Sequence, residues 1–596
     1  LGIDFIRLWA HRHALHLIEP PGGAPVIPVR IRRPVEDPGE PVPATPAELL
    51  TRLYARRGEG GQPDLALAGL APYGELSGID RAVTVLAETV KAGRSILVVG
   101  DYDADGATGS ALAMLGLKSL GAPALAYLIP SRFAFGYGLS PAVVDAAAAQ
   151  SPGLIVTVDN GIAALAGVEH ANAQGIPVLV TDHHAPGERL PAAAAIVNPK
   201  LPDCPFPSKH LAGVGVVFYV LIALRARLRA DGWFGGPRPE PNLAELLDLV
   251  ALGTVADVVA LDRNNRILVE QGLRRIRAGR CRPGIRALLQ VAGRDPARVC
   301  ASDLGFQVAP RLNAAGRLDD MTIGVECLLA EDQSRALELA TRLEEMNRER
   351  REIERGMRDQ AEYLVERIAM RGDTIPPALC LFGPNWHQGV SGIVAARIRE
   401  RYHRPAIAFA DAGDGMLRGS ARSVEGLNVR DCIDLVDRRH PGLIERFGGH
   451  AMAAGLTLKR ESLPAFRGAF AEAVRAELGE QPAELEIRSD GELPPGLLTL
   501  ETAEAIRLAG PWGKGFPEPL FDGPFEVSSA RLVGERHLRL RVRCGRGPIL
   551  DAIGFGQGER LGAAEGRIRI AYRLDVNEYL GRRAPQLILE HIQSIA

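Results

Sequence analysis

Gly100-Asp101-Tyr102-Asp103-Ala104-Asp105-Gly106 follows directly on the apolar run Ile96-Leu97-Val98-Val99. The same junction recurs twice. Leu154-Ile155-Val156 leads into Thr157-Val158-Asp159-Asn160-Gly161, and Pro177-Val178-Leu179-Val180 into Thr181-Asp182-His183-His184. Runs that are apolar at every position and rich in β-branched residues read as strands of a parallel sheet, buried on both faces. Such sheets place ligands and chemistry at the carboxyl ends of their strands. Here those ends carry several Asp and a His pair. Gathered in one place, these carboxylates would need a neutralising charge. Divalent cations are the natural source, and a hard-ligand, two-metal hydrolytic site is the expectation.

A fourth segment joins the set. Residues 246–255 are apolar, and the run ends in Gly253-Thr254-Val255-Ala256-Asp257-Val258-Val259. A lone Asp in that setting is costly to bury uncompensated. In this order, Asp-x-Asp, Asp, Asp-His-His and the late Asp resemble the DHH phosphoesterase superfamily. Longer strings resemble its bacterial RecJ branch, the single-strand-specific 5′→3′ exonucleases. They are Gly100-Asp-Tyr-Asp-Ala-Asp-Gly-Ala-Thr-Gly109, Ala309-Pro-Arg-Leu-Asn-Ala-Ala-Gly-Arg-Leu318, Trp386-His-Gln-Gly-Val-Ser-Gly-Ile393 and Gly448-Gly-His-Ala-Met-Ala-Ala-Gly455. The resemblance runs from about residue 50 to the C-terminus.

Composition sets the outer limits. The 596 residues suffice for three or four domains. The net charge of −2 does not suggest a nucleic-acid binder, so binding DNA would need a local basic groove. Seven scattered Cys with no C-x-x-C pair disfavour a zinc ribbon and fit a reducing cytoplasm. The longest apolar run, 211–224, is too short to span a membrane and reads as a buried helix.

Alternation of strands and helices over 92–330 gives an α/β class. The resemblance completes the layout as a Pro-rich N-terminal extension (1–46), a parallel-sheet DHH domain (47–332), a long connecting helix (333–371), a smaller α/β DHH-associated domain (372–485) and a C-terminal β-barrel of OB type (486–596). In the extension, His11, His13 and His16 could be metal ligands, but a polar face on a short element is favoured. The Arg run of the long helix (Arg348, Arg350, Arg351, Arg355) could touch DNA. Interleaved Glu favours a solvated face.

If the Asp103–Asp105 segment is extended, both carboxylates share one face. Asp159, from the next strand, is placed to bridge two ions. By resemblance, Asp103, Asp105, Asp159, His183 and Asp257 are metal ligands. One nitrogen among oxygens suits Mn²⁺ or Mg²⁺. Asp101 and Asp182 are additional ligands or support the loops. His184 resembles the family's second conserved His and would stabilise charge on the phosphate or the leaving oxygen; Asp159, as the bridging ligand, is counted with it as catalytic.

Gly106-Ala107-Thr108-Gly109 opens a helix whose free N–H groups could face phosphate, although a tight strand-to-helix turn needs glycine regardless. The turn Gly448-Gly449-His450 reads equally well as a phosphate contact or as a buried turn with a satisfied His, and the resemblance implies the contact. Arg311, Asn313 and Arg317 form one cluster, and Ser420 and Arg422 another. Arg132, flanked by Phe133, Phe135 and Tyr137, suits a single strand through phosphate pairing and base stacking, although ordinary loop packing explains the aromatics equally well. In the tail, Arg539, Arg541, Arg543, Arg567, Arg569 and Arg573 alternate with apolar residues, as in a barrel with one basic face.

The resemblance implies single-stranded DNA as substrate, a cytoplasmic repair role, a single-strand-binding protein and a helicase as partners, and a monomer without membrane attachment. Two other readings exist. A DHH phosphodiesterase for short oligoribonucleotides or cyclic dinucleotides would usually lack the basic tail. A non-catalytic DNA-binding scaffold would be expected to lose metal ligands.

Overall fold

The computed structural model describes residues 29–34, 41–370, 375–479, 485–534, 536–579 and 581–595. His11, His13 and His16 lie outside them, as does most of the N-terminal extension. The chain divides into two compact units: one holds residues 31–350 with 487–596, the other residues 351–486.

The first unit is built on a five-stranded sheet in the order Leu125–Leu128, Ile96–Gly100, Leu154–Val158, Val178–Thr181, Ala195–Val197. Every pairing is parallel. The central strands Ile96–Gly100, Leu154–Val158 and Val178–Thr181 are buried at every position, which is why they carry no alternation. From the strand Ile96–Gly100 the chain first adds a strand on one side, then continues on the other. The order therefore reverses between Ile96–Gly100 and Leu154–Val158. The crevice at such a switch point is where α/β sheets open toward a ligand. Asp101 and Asp159 follow these two strands.

Helices Ala104–Ser119, Gly213–Ala230 and Leu247–Ala256 pack together over the sheet in one apolar core. The 211–224 run forms most of the second of these and is buried throughout except at the partly buried Ile222.

The same unit carries a closed five-stranded barrel in the order Phe521–Val533, His537–Arg543, Ile549–Gly554, Arg582–Ser594, Arg567–Tyr579. Among the described residues its one parallel pairing is Ile549–Gly554 with Arg582–Ser594. The interior takes alternate apolar side chains such as Leu538, Leu540, Val542, Ile568 and Ile570, leaving the intervening Arg outside. Leu49 and Leu53 of helix Pro46–Ala55 pack into this barrel core.

The second unit has a five-stranded mixed sheet in the order Arg446–His450, Ala453–Lys459, Met416–Arg422, Ala406–Gly413, Leu379–Phe382. At its core Phe466 stacks on Phe470 and meets Phe409 edge-on. The helix Gln333–Met370 is continuous over 38 residues, and its N-terminal half belongs to the first unit. Within that half the exposed Arg348 is tied at 3.0 Å to Glu344, whose own side chain is buried, in an i,i+4 pair. All seven Cys are free thiols. Among the described residues no helix is long and apolar enough to cross a membrane.

Candidate metal centre

Asp103 is the N-cap of the helix Ala104–Ser119, its carboxylate accepting from the Gly106 amide at 3.0 Å. Asp105 lies inside the first turn. The segment is thus helical from Ala104, and the extended i, i+2 arrangement expected from the sequence does not occur. An Asp ahead of a helical run competes well for the cap position, and that choice starts the helix early. Asp103 and Asp105 consequently face different neighbours. Asp105 accepts from the Gly213 and Val214 amides at 2.6 and 2.9 Å. It caps, in trans, the helix Gly213–Ala230, whose own Ala212 supplies no side-chain cap.

The Gly106 amide is spent on Asp103, so this helix start does not offer the free N–H cradle anticipated for Gly106 to Gly109. These glycines allow close packing instead. A Cβ on Gly106 would fall 2.4 Å from the Asp101 carbonyl oxygen, and one on Gly109 2.6 Å from Val158.

Asp159 directly follows its strand with φ +62°, a left-handed turn that swings its side chain into the crevice. Gly213 makes room for it, since a Cβ there would lie 2.6 Å from Asp159 Cβ. Asp257 is the C-cap of Leu247–Ala256. His183 Nε2 lies 3.0 Å from Asp159 Oδ1, 3.4 Å from Asp257 Oδ2 and 4.0 Å from Asp105 Oδ2. Three groups have ligand atoms mutually within 4.8 Å: Asp101, Asp103 and Asp159; Asp105, His183 and Asp257; Asp159, His183 and His184.

The electrostatics fit a cation. Burial, then the charges of Asp105, Asp103, Asp257 and Asp101, hold the Asp159 carboxyl well above its usual range. Burial and Asp103 push Asp105 up to about 7, against the two amides that favour its charge. Burial and Asp103 raise Asp101, while burial, Asp105 and Asp103 raise Asp257. His183 is pushed down to about 3 by burial and by His184. It is therefore a neutral imidazole, the form that ligates metal. His183 Nε2 and Asp159 Oδ1 are both buried and neither makes a hydrogen bond. A buried imidazole nitrogen and several carboxylates converging within ligand distance are what a bound cation resolves, so these residues fit the divalent ion that their chemistry implies.

His184 differs. Its Nδ1 lies 2.8 Å from Asp182 Oδ1, and although burial opposes its charge, Asp182 raises its pKa. Asp182 in turn accepts from the His183, His184 and Ile162 amides at 2.7, 3.0 and 2.9 Å. It fixes both loops.

Sequence reading missed three contributors. The Tyr137 hydroxyl lies 3.1 Å from His184 Nδ1 and 3.2 Å from the Asp159 carbonyl. Tyr137 stands out in the sequence as an aromatic, whereas its hydroxyl is the part that meets the site. Asn198 donates to the His184 carbonyl at 2.9 Å. The Gly213 and Val214 amides carry no side-chain signal that a sequence could reveal.

The expected substrate residues are spread over both units. Arg132 lies over the Tyr102 ring at 4.1 Å. Asn313 accepts from the Ala104 amide at 2.9 Å and so steadies the metal loop. Arg311 is buried and ion-paired with Glu344 at 2.7 Å. Arg317 lies on the same helix, Ala309–Leu318. In the other unit, Ser420 shares a hydroxyl contact with Ser391 at 3.0 Å, and Arg422, on the same strand, donates to the Ala421 carbonyl at 2.8 Å. Gly448, Gly449 and His450 form a strand rather than the expected turn, registered with Gly455, Ala454 and Ala453. Glycine is needed at 449, where φ is +136° and a Cβ would meet the Ala453 carbonyl at 2.5 Å.

The barrel does not present its six singled-out arginines as one open basic face. Arg569 is bound to the buried Asp522 at 2.7 Å, and Arg573 to Glu590 at 2.8 Å. Acidic residues on adjacent strands neutralise them. Arg531, Arg539 and Arg541 line a pocket of about 450 Å³ with Ser529 and Asp551, and there Arg539 is paired with Asp551 at 3.0 Å.

Comparison with known proteins accords with this geometry. The model of the DHH family N-terminal domain matches residues 95–254, that of the DHHA1 domain residues 363–476, and that of the RecJ OB domain residues 489–591. The single-stranded-DNA-specific exonuclease RecJ of Dickeya dadantii is 56% identical over 567 residues, covering 94% of this chain and 98% of that protein. The chain belongs to the RecJ family. Two solved RecJ structures from Thermus thermophilus share the fold. The complex with Mn²⁺ has a TM-score of 0.76 and 30% identity over 95% of this chain and 80% of that one. The complex with Mg²⁺ has a TM-score of 0.71 and 29% identity over 95% and 79%.

Proposed function

We propose that this RecJ-family protein is a metal-dependent exonuclease that degrades single-stranded DNA in the 5′→3′ direction, in cytoplasmic DNA repair and recombination. The observation that carries the reading is the approach of His183 Nε2 to Asp159 Oδ1, 3.0 Å apart, both buried and neither in a hydrogen bond, with Asp257 and Asp105 beside them. Two divalent ions, Mn²⁺ or Mg²⁺, would be held by Asp103, Asp105, Asp159, His183 and Asp257, with Asp159 common to both and Asp101 available beside it. Bound there, such ions supply Lewis-acid polarisation of the phosphate and an activated water.

The chain's own residues do the rest. Asp182 holds the His184 ring and favours its protonated form, so His184 can hold a proton for the leaving 3′ oxygen. The Tyr137 hydroxyl meets the same ring nitrogen and helps to fix the ring. Arg132 with Tyr102, and the Ser420–Arg422 and Gly448–His450 strands, supply candidate phosphate contacts. The barrel speaks against the runner-up, a phosphodiesterase for short oligoribonucleotides or cyclic dinucleotides.

The deciding experiment uses end-labelled single- and double-stranded DNA and RNA with Mn²⁺, Mg²⁺ or chelator. Mononucleotide release from the 5′ end of single-stranded DNA, abolished by chelator, is expected. Preference for dinucleotides or RNA would overturn the reading.

A further inference from the structure

The Pro/Gly-rich segment ahead of the barrel, Pro511-Trp512-Gly513-Lys514-Gly515-Phe516, has no part in the site described so far. It forms a tight turn in which Gly513 and Phe516 exchange backbone hydrogen bonds at 2.9 and 3.1 Å. The turn is braced by a stack. Trp512 and Phe516 lie face to face at 5.2 Å, with Arg57 over Trp512 at 5.4 Å and Arg266 over Phe516 at 4.0 Å. Its tip is pinned to the loop that follows Asp257. The Lys514 carbonyl accepts from the Leu261 amide at 2.7 Å, and Gly513 packs so closely that a Cβ would sit 2.8 Å from Leu261 Cδ1.

A rigid turn thus presents one exposed lysine beside the metal-site loop. A second lysine reaches the same place from another element. Lys200 follows Asn198, whose side chain accepts from the Lys200 amide at 2.8 Å and donates to the His184 carbonyl at 2.9 Å. The charges of Lys200 and Lys514 both act on Asp257, against the burial and the carboxylates that raise it. Yet among the described residues neither ammonium has an ion-pair partner within 4.0 Å. Arg311 and Arg266, by contrast, are committed to Glu344 and Glu59.

We propose that Lys200 and Lys514 form a two-lysine clamp on the Asp257 side of the metal centre that takes a phosphodiester of the substrate strand next to the one being cleaved. A lysine acts on phosphate as a point charge and tolerates the sliding that stepwise removal of nucleotides demands. The placement of Lys514 in the turn that leads into the barrel also puts the clamp between metal site and barrel along the chain. This inference rests on the exonuclease reading above.

The test is steady-state cleavage of 5′-labelled single-stranded oligonucleotides by the full chain with Mn²⁺, over a range of salt. Lys200→Ala, Lys514→Ala, the double variant and Lys514→Arg are compared with Lys91→Ala, a surface lysine paired to Asp231. Each clamp substitution is expected to raise KM about 3- to 10-fold and to reduce the salt slope by roughly one phosphate contact. Lys514→Arg should recover most of the loss, and melting temperatures should stay at the wild-type value. A double variant with wild-type KM and salt slope would overturn the clamp alone. A Lys514→Ala loss accompanied by a lower melting temperature and no rescue by Arg would overturn it in favour of a structural brace. Absence of cleavage by the unaltered protein would overturn both the clamp and the exonuclease reading.

Discussion

His183 Nε2 and Asp159 Oδ1 approach to 3.0 Å, both buried, and neither is hydrogen-bonded. The contact is unfavourable for a metal-free protein. Burial and four neighbouring carboxylates raise the Asp159 pKa well above that of an unfolded chain. A raised carboxyl pKa contributes stability that is complete at low pH and is lost as pH rises through the folded value. At pH 8 in chelator Asp159 therefore destabilises the fold. Asp159→Asn is expected to melt several degrees above wild type under those conditions, to lose that advantage when Mn²⁺ is added, and to have no measurable cleavage. Scanning calorimetry with and without metal checks this. Equal melting in chelator would mean that the site is not electrostatically strained.

The two adjacent histidines should separate cleanly. His183 is neutral and faces three carboxylates, whereas His184 is held by Asp182 and Tyr137. His183→Ala should lower bound Mn²⁺ as measured by elemental analysis. His184→Ala should leave metal content near wild type and cut kcat by roughly two to three decades, the scale of one lost charge-stabilising donor. The opposite pattern of metal loss would reverse the two assignments.

The strands and the order of their carboxyl-end residues were legible because a doubly buried strand must be apolar throughout and its polar terminus then stands out. Asp159, His183 and the apolar helix before Asp257 follow from that logic. The helical placement of Asp105 was not legible, since an Asp just past a strand suits an extended loop as well as a helix start. Nor was the trans-capping of Gly213 and Val214, which uses backbone amides 108 and 109 residues away. In the barrel, the alternation of Arg with apolar residues marks the inward and outward faces. It could not tell that Asp522 and Glu590, far off in sequence, neutralise Arg569 and Arg573.

Gly316 lies where the helix Ala309–Leu318 crosses the metal loop. A Cβ there would fall 1.8 Å from the Tyr102 carbonyl oxygen, a backbone atom that cannot swing away. Three residues earlier, Asn313 holds the Ala104 amide. Gly316→Ala should push the helix off the loop, destabilise by about 1–3 kcal/mol and lower kcat at least tenfold. Gly468→Ala, on a helix with open space around it, should instead leave kcat intact and stabilise by about 0.5–1 kcal/mol. Full activity in Gly316→Ala would show that the loop does not depend on this contact.

In the barrel, the Arg560 guanidinium donates to His591 Nδ1 at 2.8 Å, which requires that nitrogen to be unprotonated. Burial, and then the Arg560 charge, push His591 down to about 4. The unfolded chain protonates its histidine near the ordinary value of about 6.5. A depressed pKa contributes stability that is complete above that value and is lost progressively as pH falls toward about 4. His591→Gln keeps an oxygen that can accept from Arg560 but does not titrate. Its melting temperature should therefore fall less steeply than that of wild type between pH 6.5 and 4.5, with the two curves running parallel above pH 7. Thermal melts of both proteins in matched buffers measure the difference. Parallel curves through the acid range would mean that His591 accepts its proton in the folded barrel, and that the Arg560 contact gives way at little cost.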